Sequence, residues 1–285
     1  MITGMDKHAY CIMAHGNWKQ LQMLVNVIDD GRNDIYLHID AKSLNDFNKW
    51  GGVKTKFSGL ILTESIDVRW SDVSQVDAEL LLFKHVIRSG KGYNRIHLIS
   101  GSDFPLKSQD ELHKMFYNDD REYLSFGKDV HLMYRRLKYY HFFVRYRRKW
   151  RVVELFRRIL LVPQVLFVNR LRKFNLKFAY GQNWCSLTLP AVREIIGKMV
   201  ELRPKLKYTT SADEVYKQMI IGSNDKFKIY NKPVSYACFS HGCASPKTLT
   251  MADYDNIMSS GCLFARKFDV NVDVNVINKL ISTFI

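Results

Sequence analysis

The sequence predicts an α/β fold, with a central, mostly parallel (mixed) sheet flanked by helices in a single domain that carries an inserted basic helical segment. The first third of the 285-residue chain alternates short apolar runs with segments of helical spacing, which is typical of parallel strands joined by helices. Hydrophobic residues make up 47% of the chain and charged residues 25%, as in globular proteins that bury a sizeable core.

The elements of the first third follow one another as strand, helix and strand. Their apolar residues recur every three or four positions where a helix is predicted, and run continuously where a buried strand is predicted. We predict strands over 9–14, 34–40, 59–62 and 95–100, and helices containing Leu21 to Ile28 and spanning 73–87. Ligands of such sheets bind beyond the carboxyl ends of the strands. Met13 to His15, Asp40 and the turn 101–105 are expected at that edge, with Ser108 as the next helix cap.

A strongly basic segment follows the alternating part. Between Arg135 and Lys177 the sequence holds fourteen lysines and arginines but a single acid, Glu154, so most of the net charge of +15 lies there. A charge so localised indicates an anionic partner: nucleic acid, an anionic membrane or a phosphorylated substrate. Regular structure is predicted again from Trp184, with helices over 191–202, from Ser211 and over 271–285.

The cysteines and the apolar stretches of the sequence indicate the cellular compartment in which the protein is expected. Five cysteines are an odd number without a repeated C-x-x-C spacing, which argues against a zinc site and a disulfide framework. Residues 1–10 lack the charged head and apolar run of a secretion signal, and no apolar stretch reaches the roughly 18 residues of a spanning helix. A reducing, cytoplasmic location is therefore expected.

The segment Ser211-Ala212-Asp213-Glu214 has two interpretations. It matches a capping box, in which Ser211 caps a helix and Glu214 returns to the cap amide. A carboxylate at the start of a helix is also suited to act as a general base toward a hydroxyl group. One carboxylate cannot do both fully, so Asp213 is expected to share the structural part.

Arg266 and Lys267 stand between large apolar residues in the segment 263–268. Either this segment is an edge strand with both cations at the surface, or the pair forms a clamp that stabilises the negative charge on a departing diphosphate. Lys247 is a candidate for a further cation of that clamp.

An Asp-x-Asp motif at a strand end would indicate a divalent metal that holds a diphosphate. Here the corresponding strand ends on Asp40 alone, with Lys42 two positions later, while Asp269 and Asp273 are spaced too widely. No metal ligand is predicted, and Asp40 is expected either to begin a turn or to accept hydrogen bonds from a base or ribose. By pattern alone, His15 and His38 are typical of turn or core histidines.

Seven stretches, in order and over most of the chain outside the basic segment, resemble one family. They are Ala9 to His15, His38 to Ser43, Val68 to Ser71 leading to Glu79-Leu80, Leu98 to Lys107, Gly181 to Trp184, Ser211 to Glu214, and Leu263 to Asp269. On these motifs the chain resembles the core-2/I-branching N-acetylglucosaminyltransferases and their xylosyltransferase relatives, glycosyltransferase family 14.

The resemblance implies a GT-A-like fold and an inverting transfer of a sugar from a UDP-sugar donor to a glycan hydroxyl, with neither metal nor cofactor. The sugar it implies first is N-acetylglucosamine, with transfer of xylose or another hexose as the alternative. Within the domain 1–285 it implies a nucleotide-binding half over 1–125, the basic insertion over 130–180, and an acceptor and catalytic half over 181–285.

The resemblance also assigns roles to single residues. Glu214 is implied as the base that deprotonates the acceptor hydroxyl. The donor-binding residues, around the uridine and the diphosphate, are Met13, His15, Asp40, Lys247, Arg266 and Lys267. The residues expected near the site, for the acceptor or for support, are Trp70, Ser102, Asp103, Trp184 and Asp213.

The chain departs from the animal members of that family, which are anchored in the Golgi and use disulfides. A bacterial, cytoplasmic enzyme of polysaccharide assembly is therefore expected, with a lipid-linked acceptor. The segment 135–177 is expected to contact the inner face of an anionic membrane, the alternatives being a solvated basic helix pair or a disordered lid. The residues expected at that interface are the apolar Trp150, Phe156, Leu160, Leu161, Leu166 and Phe167, among Arg157, Arg158, Arg170 and Arg172.

Arginine interleaved with aromatic residues also fits a nucleic-acid-binding protein, which is the alternative from a different class. The sequence contains no nucleic-acid-binding motif, and its charge is confined to one segment. No nucleic-acid partner is therefore predicted.

Overall fold

The computed structural model describes residues 7–128, 130–146, 151–239 and 245–284. Four parallel strands form most of a seven-stranded sheet: β1 (Lys7–Ala14), β2 (Asn33–Ile39), β3 (Gly59–Leu62) and β4 (Tyr93–Ser100). β1 lies between β2 and β4, and β3 pairs with β2. These are the four strands that the sequence predicts, each within two residues of its predicted bounds.

The sheet continues beyond β4 with short strands of mixed direction. They are β6 (Glu122–Tyr123), β7 (Cys185–Leu187) and β8 (Ile229–Tyr230). β7 is antiparallel to both β4 and β6, whereas β8 is parallel to β6, and the full order is β3-β2-β1-β4-β7-β6-β8. The mixed, mostly parallel α/β sheet predicted from the sequence is confirmed.

Helices cover both faces of this sheet. Those of the first half are α1 (Trp18–Ile28), α2 (Leu44–Trp50), α3 (Ser74–Arg88) and α4 (Gln109–Phe116). Those after the basic segment are α8 (Leu189–Lys205), α9 (Tyr216–Gly222), α10 (Tyr254–Ser259) and α11 (Val274–Phe284). Ser108 caps α4 in a full capping box with Glu111, as predicted.

Two apolar cores form because successive residues of a buried strand point to opposite faces of the sheet. Ala9 and Cys11 of β1 belong to the core under α3, α8 and α9. Tyr10 and Ile12 belong to the core under α1 and α11. A strand buried on both faces carries a continuous apolar run, which is the pattern that identified β1 in the sequence.

A second, three-stranded sheet lies beside the first and has β10 (Phe264–Arg266) in its middle. β10 is antiparallel to β5 (Phe104–Pro105) and parallel to β9 (Ser235–Ala237). The interpretation of 263–268 as an edge strand is therefore wrong. The segment is paired on both sides and its apolar residues are buried, so its polar end is held in a fixed position.

The basic segment is helical where the structure describes it. It contains α5 (Val130–Lys138), a 3-10 turn at Val144–Tyr146, α6 (Arg151–Leu161), α7 (Gln164–Phe167) and a second 3-10 turn at Arg170–Lys173. No helix among the described residues is both long and apolar enough to cross a membrane.

Two arginines expected at a membrane interface are instead buried. Arg170 is 4% exposed and donates hydrogen bonds to the main-chain oxygens of Tyr139, Tyr208 and Lys205. Arg157 is 6% exposed and pairs with Glu154 at 2.7 Å. Both cations hold the segment together rather than facing outward, and Trp150 lies outside the described residues.

Candidate active site

The ends of β1, β2 and β4 are tied together by main-chain contacts at the carboxyl edge of the sheet. The Asp40 amide donates to the Ala14 oxygen at 2.9 Å, and the Gly101 amide donates to the Met13 oxygen at 2.9 Å. The Ser43 hydroxyl donates to the His15 oxygen at 2.8 Å. The structure thus brings together the predicted donor-side residues Met13, His15 and Asp40.

Asp40 begins a turn and is already paired with a cation. Its Oδ1 accepts from the Lys42 amide at 2.9 Å, and Lys42 Nζ lies 2.7 and 2.6 Å from its two carboxylate oxygens. Lys42 Nζ also lies 2.9 Å from Asp67, which Arg145 of the basic segment contacts at 2.5 Å. The hydrogen bond from Lys42 holds the pKa of the Asp67 carboxyl far below its ordinary value, so that carboxyl is ionised at neutral pH.

The two histidines of this edge differ in environment. His38 is 1% exposed, and its Nε2 accepts a hydrogen bond from the Ile66 amide at 3.1 Å. Burial lowers the pKa of His38 to about 4, so its ring is neutral at neutral pH. His15 is exposed at the end of β1.

The turn after β4 holds a buried carboxylate against Arg266. Asp103 is fully buried and accepts from the Ser100 amide at 3.0 Å and the Ser100 hydroxyl at 2.8 Å. Its Oδ1 lies 3.1 Å from Arg266 Nε. Burial raises the pKa of Asp103, and the Arg266 charge opposes that rise. Ser102 supports the turn, because its hydroxyl contacts Ser100 at 2.9 Å and its main-chain oxygen accepts from Phe268.

Arg266 is fixed from a second side by Trp184. Its guanidinium carbon lies 4.4 Å from the centre of the indole ring, within the range of a cation–π contact. Asp103 and Trp184, both expected near the site, therefore contact the same predicted cation.

Gln20 is a site residue that the sequence analysis missed. Its Nε2 donates to the Gly101 and Phe268 oxygens at 3.3 and 3.0 Å, and its Oε1 accepts from the Val270 amide at 2.9 Å. One buried amide thus joins α1, the turn after β4 and the segment after β10. The sequence signal for its role was a glutamine placed on the apolar, inward-facing side of α1.

The two predicted lysines have different surroundings. Lys247 Nζ lies 2.6 Å from Asp253, and this hydrogen bond raises the pKa of Lys247. Lys267 is half-buried, and within the described part of the chain its ammonium has neither an ion pair nor a side-chain hydrogen bond. The Leu249 amide donates to the Lys267 oxygen at 2.9 Å, so the two segments adjoin. Of these two ammonium groups, only that of Lys267 has no carboxylate beside it.

The capping-box interpretation of Ser211 is wrong. Ser211 has a φ of 52° and its side chain caps no helix; its hydroxyl lies 2.9 Å from that of Ser71. A 3-10 turn, Ala212–Glu214, follows it, and α9 begins only at Tyr216. Trp70 lies half-buried in the turn before Ser71. The Ser211 amide donates to the Ser71 oxygen at 2.8 Å, which binds the two turns together.

Glu214 takes no part in a capping box, and its side chain contacts the basic segment. Its Oε2 accepts from Arg136 Nη1 at 2.7 Å, and its side chain is 37% exposed. Its main-chain oxygen accepts from the Gly181 amide at 2.9 Å. Arg136 and Arg145, two further residues missed in the sequence, therefore link the basic segment to Glu214 and to the Asp40–Lys42–Asp67 group.

Asp213, by contrast, points into the core and is 6% exposed. Burial, with the nearby charges of Glu79 and Glu214, raises the pKa of Asp213 to about 7. The neighbouring acids Asp213 and Glu214 thus have opposite environments, because the first is buried and the second is accessible. Among the residues that the structure describes, no group of three or more His, Cys, Asp or Glu side chains is arranged to hold a metal ion.

The chain is similar to known proteins of one family. The family model of the core-2/I-branching enzyme matches residues 8–258. A beta-1,3-galactosyl-O-glycosyl-glycoprotein beta-1,6-N-acetylglucosaminyltransferase of Bos taurus is 27% identical over 106 residues, which are 36% of this chain and 25% of the bovine protein. The chain thus matches about a quarter of that relative's length. A crystal structure of mouse xyloside xylosyltransferase 1 aligns over 91% of this chain and 96% of its own, with 11% identity and a TM-score of 0.40.

The family match includes every predicted site residue up to Lys247 and ends before Arg266 and Lys267. It spans the sheet edge, the basic segment and the turn that carries Glu214. The prediction of an enzyme agrees with it. The chain belongs to the core-2/I-branching enzyme family, a family of glycosyltransferases.

Proposed function

We propose that the protein is an inverting, metal-independent transferase that moves a sugar, N-acetylglucosamine first, from a UDP-sugar to a hydroxyl of a glycan acceptor. One observation supports this most: a chain of contacts joins an accessible carboxylate to a fixed cation. Glu214 is bonded through its main chain to Gly181, and three residues later Trp184 packs on Arg266. A base and a diphosphate clamp are the two groups that such a reaction requires.

In the proposed step, Glu214 takes the proton of the acceptor hydroxyl while that oxygen attacks the anomeric carbon of the donor. The bond from this carbon to the β-phosphate oxygen breaks, and its electron pair leaves with UDP. Attack from the face opposite UDP inverts the anomeric configuration. The leaving diphosphate gains negative charge, which Arg266 and Lys267 stabilise, and Arg266 is held in place before the reaction by Asp103 and Trp184.

Metal independence is part of the proposal. Its support is that the carboxylates nearest the strand ends already hold protein cations, with Asp40 and Asp67 sharing Lys42. Fixed lysine and arginine can replace a divalent ion in stabilising a diphosphate. Xylose or another hexose remains the alternative sugar, since that choice depends on contacts with the donor ring.

The test is binding and slow hydrolysis of a panel of UDP-sugars, measured in EDTA and again with Mg²⁺ or Mn²⁺. We expect one UDP-sugar to bind and hydrolyse equally well in both conditions. Strict dependence on the metal would contradict the fixed-cation mechanism. No interaction with any UDP-sugar would remove the proposed activity.

We also propose that α6 and α7 contact an anionic membrane surface, where a lipid-linked acceptor would be presented. The pair exposes many apolar side chains, with Leu166 78% and Phe167 85% exposed. The other exposed apolar residues of this surface are Val152, Leu155, Phe156, Ile159, Leu160, Val162 and Val165. Arg158, 77% exposed, supplies a cation at its border. A basic amphipathic helix of this kind is suited to an anionic lipid interface.

Flotation with vesicles that contain an anionic phospholipid, at low and high salt, tests this contact. We expect the protein to float, and the double variant Leu166→Glu/Phe167→Glu to stay at the bottom. Val200→Glu is the matched control, because Val200 is 80% exposed on α8, outside this surface. Equal flotation of all three proteins, or of none, would refute the membrane contact.

A bacterial enzyme of surface polysaccharide synthesis, on the cytoplasmic side of the membrane, is the setting that we propose. Support for the cytoplasmic side comes from the four cysteines among the described residues, because Cys11, Cys185, Cys238 and Cys262 are free thiols there. Free thiols in a protein of this kind favour a reducing compartment. Labelling of the native enzyme with a thiol reagent, in cells and after purification, tests whether they stay reduced.

A further inference from the structure

A buried ionic cluster lies directly behind the turn that carries Glu214. Lys217 of α9 and Glu79 of α3 are both fully buried, and Lys217 Nζ lies 2.6 Å from Glu79 Oε2. The same oxygen accepts from the Tyr216 hydroxyl at 2.8 Å. None of these groups is a predicted site residue, and none has a role in the proposed step.

Lys217 reaches two segments of the site from this buried position. Its ammonium donates to the main-chain oxygen of Asp213 at 3.1 Å, which is the residue before Glu214. It also donates to the Asn183 side-chain oxygen, next to Trp184. The Gly181 amide closes the loop by donating to the Glu214 oxygen. One ammonium thus connects the turn of the base with the segment whose indole holds Arg266.

Stability alone is a poor reason for such a cluster. Two buried acids, Glu79 and Asp213, face one lysine, and Glu79 Oε1 and Asp213 Oδ1 have no hydrogen-bond partner among the described residues. Apolar residues of similar volume usually stabilise a core as well as a buried ion pair does or better. What an ion pair adds is direction, because each donor must point at its acceptor.

We propose that Lys217 is a positioning residue that holds Glu214 and the Trp184–Arg266 pair in a fixed relation, so that base and diphosphate clamp act on the same bound substrates. This inference rests on the proposed function. Misplacement of a reacting group by about 1 Å can cost about a hundredfold in rate. Loss of the Lys217 contacts should therefore lower kcat more than it raises the KM for the donor.

The experiment compares Lys217→Met with the double variant Glu79→Gln/Lys217→Met. The single variant leaves Glu79 buried without a cation, and we expect its thermal midpoint to fall by about 10 °C. The double variant removes both charges, so it should recover most of that midpoint while its kcat stays at least about tenfold below the wild type. A double variant that recovers both midpoint and kcat would show Lys217 to be merely structural and overturn the proposal.

A matched control and a second readout complete the test. Asp34, 2% exposed at the start of β2, pairs with Lys91 and lies at the opposite end of the sheet from the site. Asp34→Asn should lower the midpoint and leave kcat unchanged. Hydrogen exchange of the Gly181 amide should be faster in the double variant, and this measurement needs no activity. An inactive wild type would therefore refute the proposed function, whereas unchanged exchange at Gly181 would refute the positioning role.

Discussion

Glu214 and Lys267 are distinguished from the neighbouring charged residues by what their ionic groups contact. Glu214 has one carboxylate oxygen on Arg136 and a side chain that is 37% exposed, whereas Asp213 beside it is buried. Among the described residues, Lys267 lacks a carboxylate partner of the kind that Lys247 has in Asp253. Glu214 thus offers an accessible carboxylate, and Lys267 offers an ammonium that no described carboxylate neutralises.

Glu214→Gln should remove most of the transfer activity while leaving UDP binding nearly intact. The glutamine side chain has the same size, and its amide oxygen can still accept from Arg136. It cannot take the proton of the acceptor hydroxyl, so kcat should fall by about 10² to 10⁴. Initial rates with the identified donor, together with UDP titration, measure both parts. Glu201→Gln, on the exposed face of α8, is the control. Ordinary turnover in Glu214→Gln would end the proposed mechanism.

Lys267→Ala and Lys247→Ala form a second comparison. If Lys267 stabilises the leaving diphosphate, its removal should lower kcat by about 10² or more. Removal of Lys247 should have a much smaller effect, because its ammonium is already neutralised by Asp253. The ratio of the two kcat values shows which lysine stabilises the leaving diphosphate. A larger loss in Lys247→Ala would make Lys247 the principal cation.

At the scale of elements, the strands with continuous apolar runs and the amphipathic helices could be predicted, because the apolar pattern of each lies within its own few residues. β1, β2, β3 and β4 needed no information from distant residues. β7 and the middle position of β10 were not predictable, because short strands obtain their stability from partners far along the chain. The error at Ser211 has the same origin, since a partner 140 residues away, Ser71, decides its backbone conformation.

The residues of the candidate site also fall into those that the sequence could predict and those that it could not. The strand-end residues Met13, His15 and Asp40 follow from topology, because parallel strands present their carboxyl ends at one edge. Arg136, Arg145 and Lys217 do not, because their contacts are long-range side-chain pairs that leave no periodic signal.

A histidine cluster beside the start of β1 and the middle of β4 predicts how stability depends on pH. His8 Nδ1 lies 3.2 Å from His97 Nε2, and the His8 ring stacks on His113 at 3.9 Å. Burial lowers the pKa of His8 and of His97 far below the ordinary value. The unfolded chain therefore takes up these protons first as pH falls. Stability is full above about pH 6.5 and should fall by up to about 3 kcal/mol per pH unit below it.

Urea unfolding at pH 7.5, 6 and 5 measures this loss. His8→Gln removes one titrating group, so its free energy of unfolding should depend less steeply on pH than that of the wild type. Tyr10→Phe is the control, because Tyr10 packs on His97 and burial raises the pKa of its hydroxyl, away from this range. A His8→Gln slope equal to that of the wild type would show that the cluster does not govern acid stability.

At the scale of the whole molecule, the site is assembled from distant parts of the chain. The sheet edge contributes residues between 13 and 103, and the basic segment contributes Arg136 and Arg145. The later part of the chain contributes the segments 181–184 and 211–214 and the end of β10 at 266–267. Ion pairs and hydrogen bonds cross between all three, as between Arg145 and Asp67. A ligand bound there contacts several of these parts at once, and its binding energy should therefore stabilise the molecule as one unit.

UDP should accordingly raise the thermal midpoint of a single unfolding transition. At a concentration of 100 times Kd, binding stabilises the folded state by about 2.7 kcal/mol, or about 5 °C for a chain of this size. The shift should be the same in EDTA, because the proposed cations belong to the protein, and smaller in Lys267→Ala at equal UDP. Calorimetry with and without UDP measures it. A transition that splits in two, with only one part shifted, would mean that the nucleotide contacts a single half and that the site does not unite the chain.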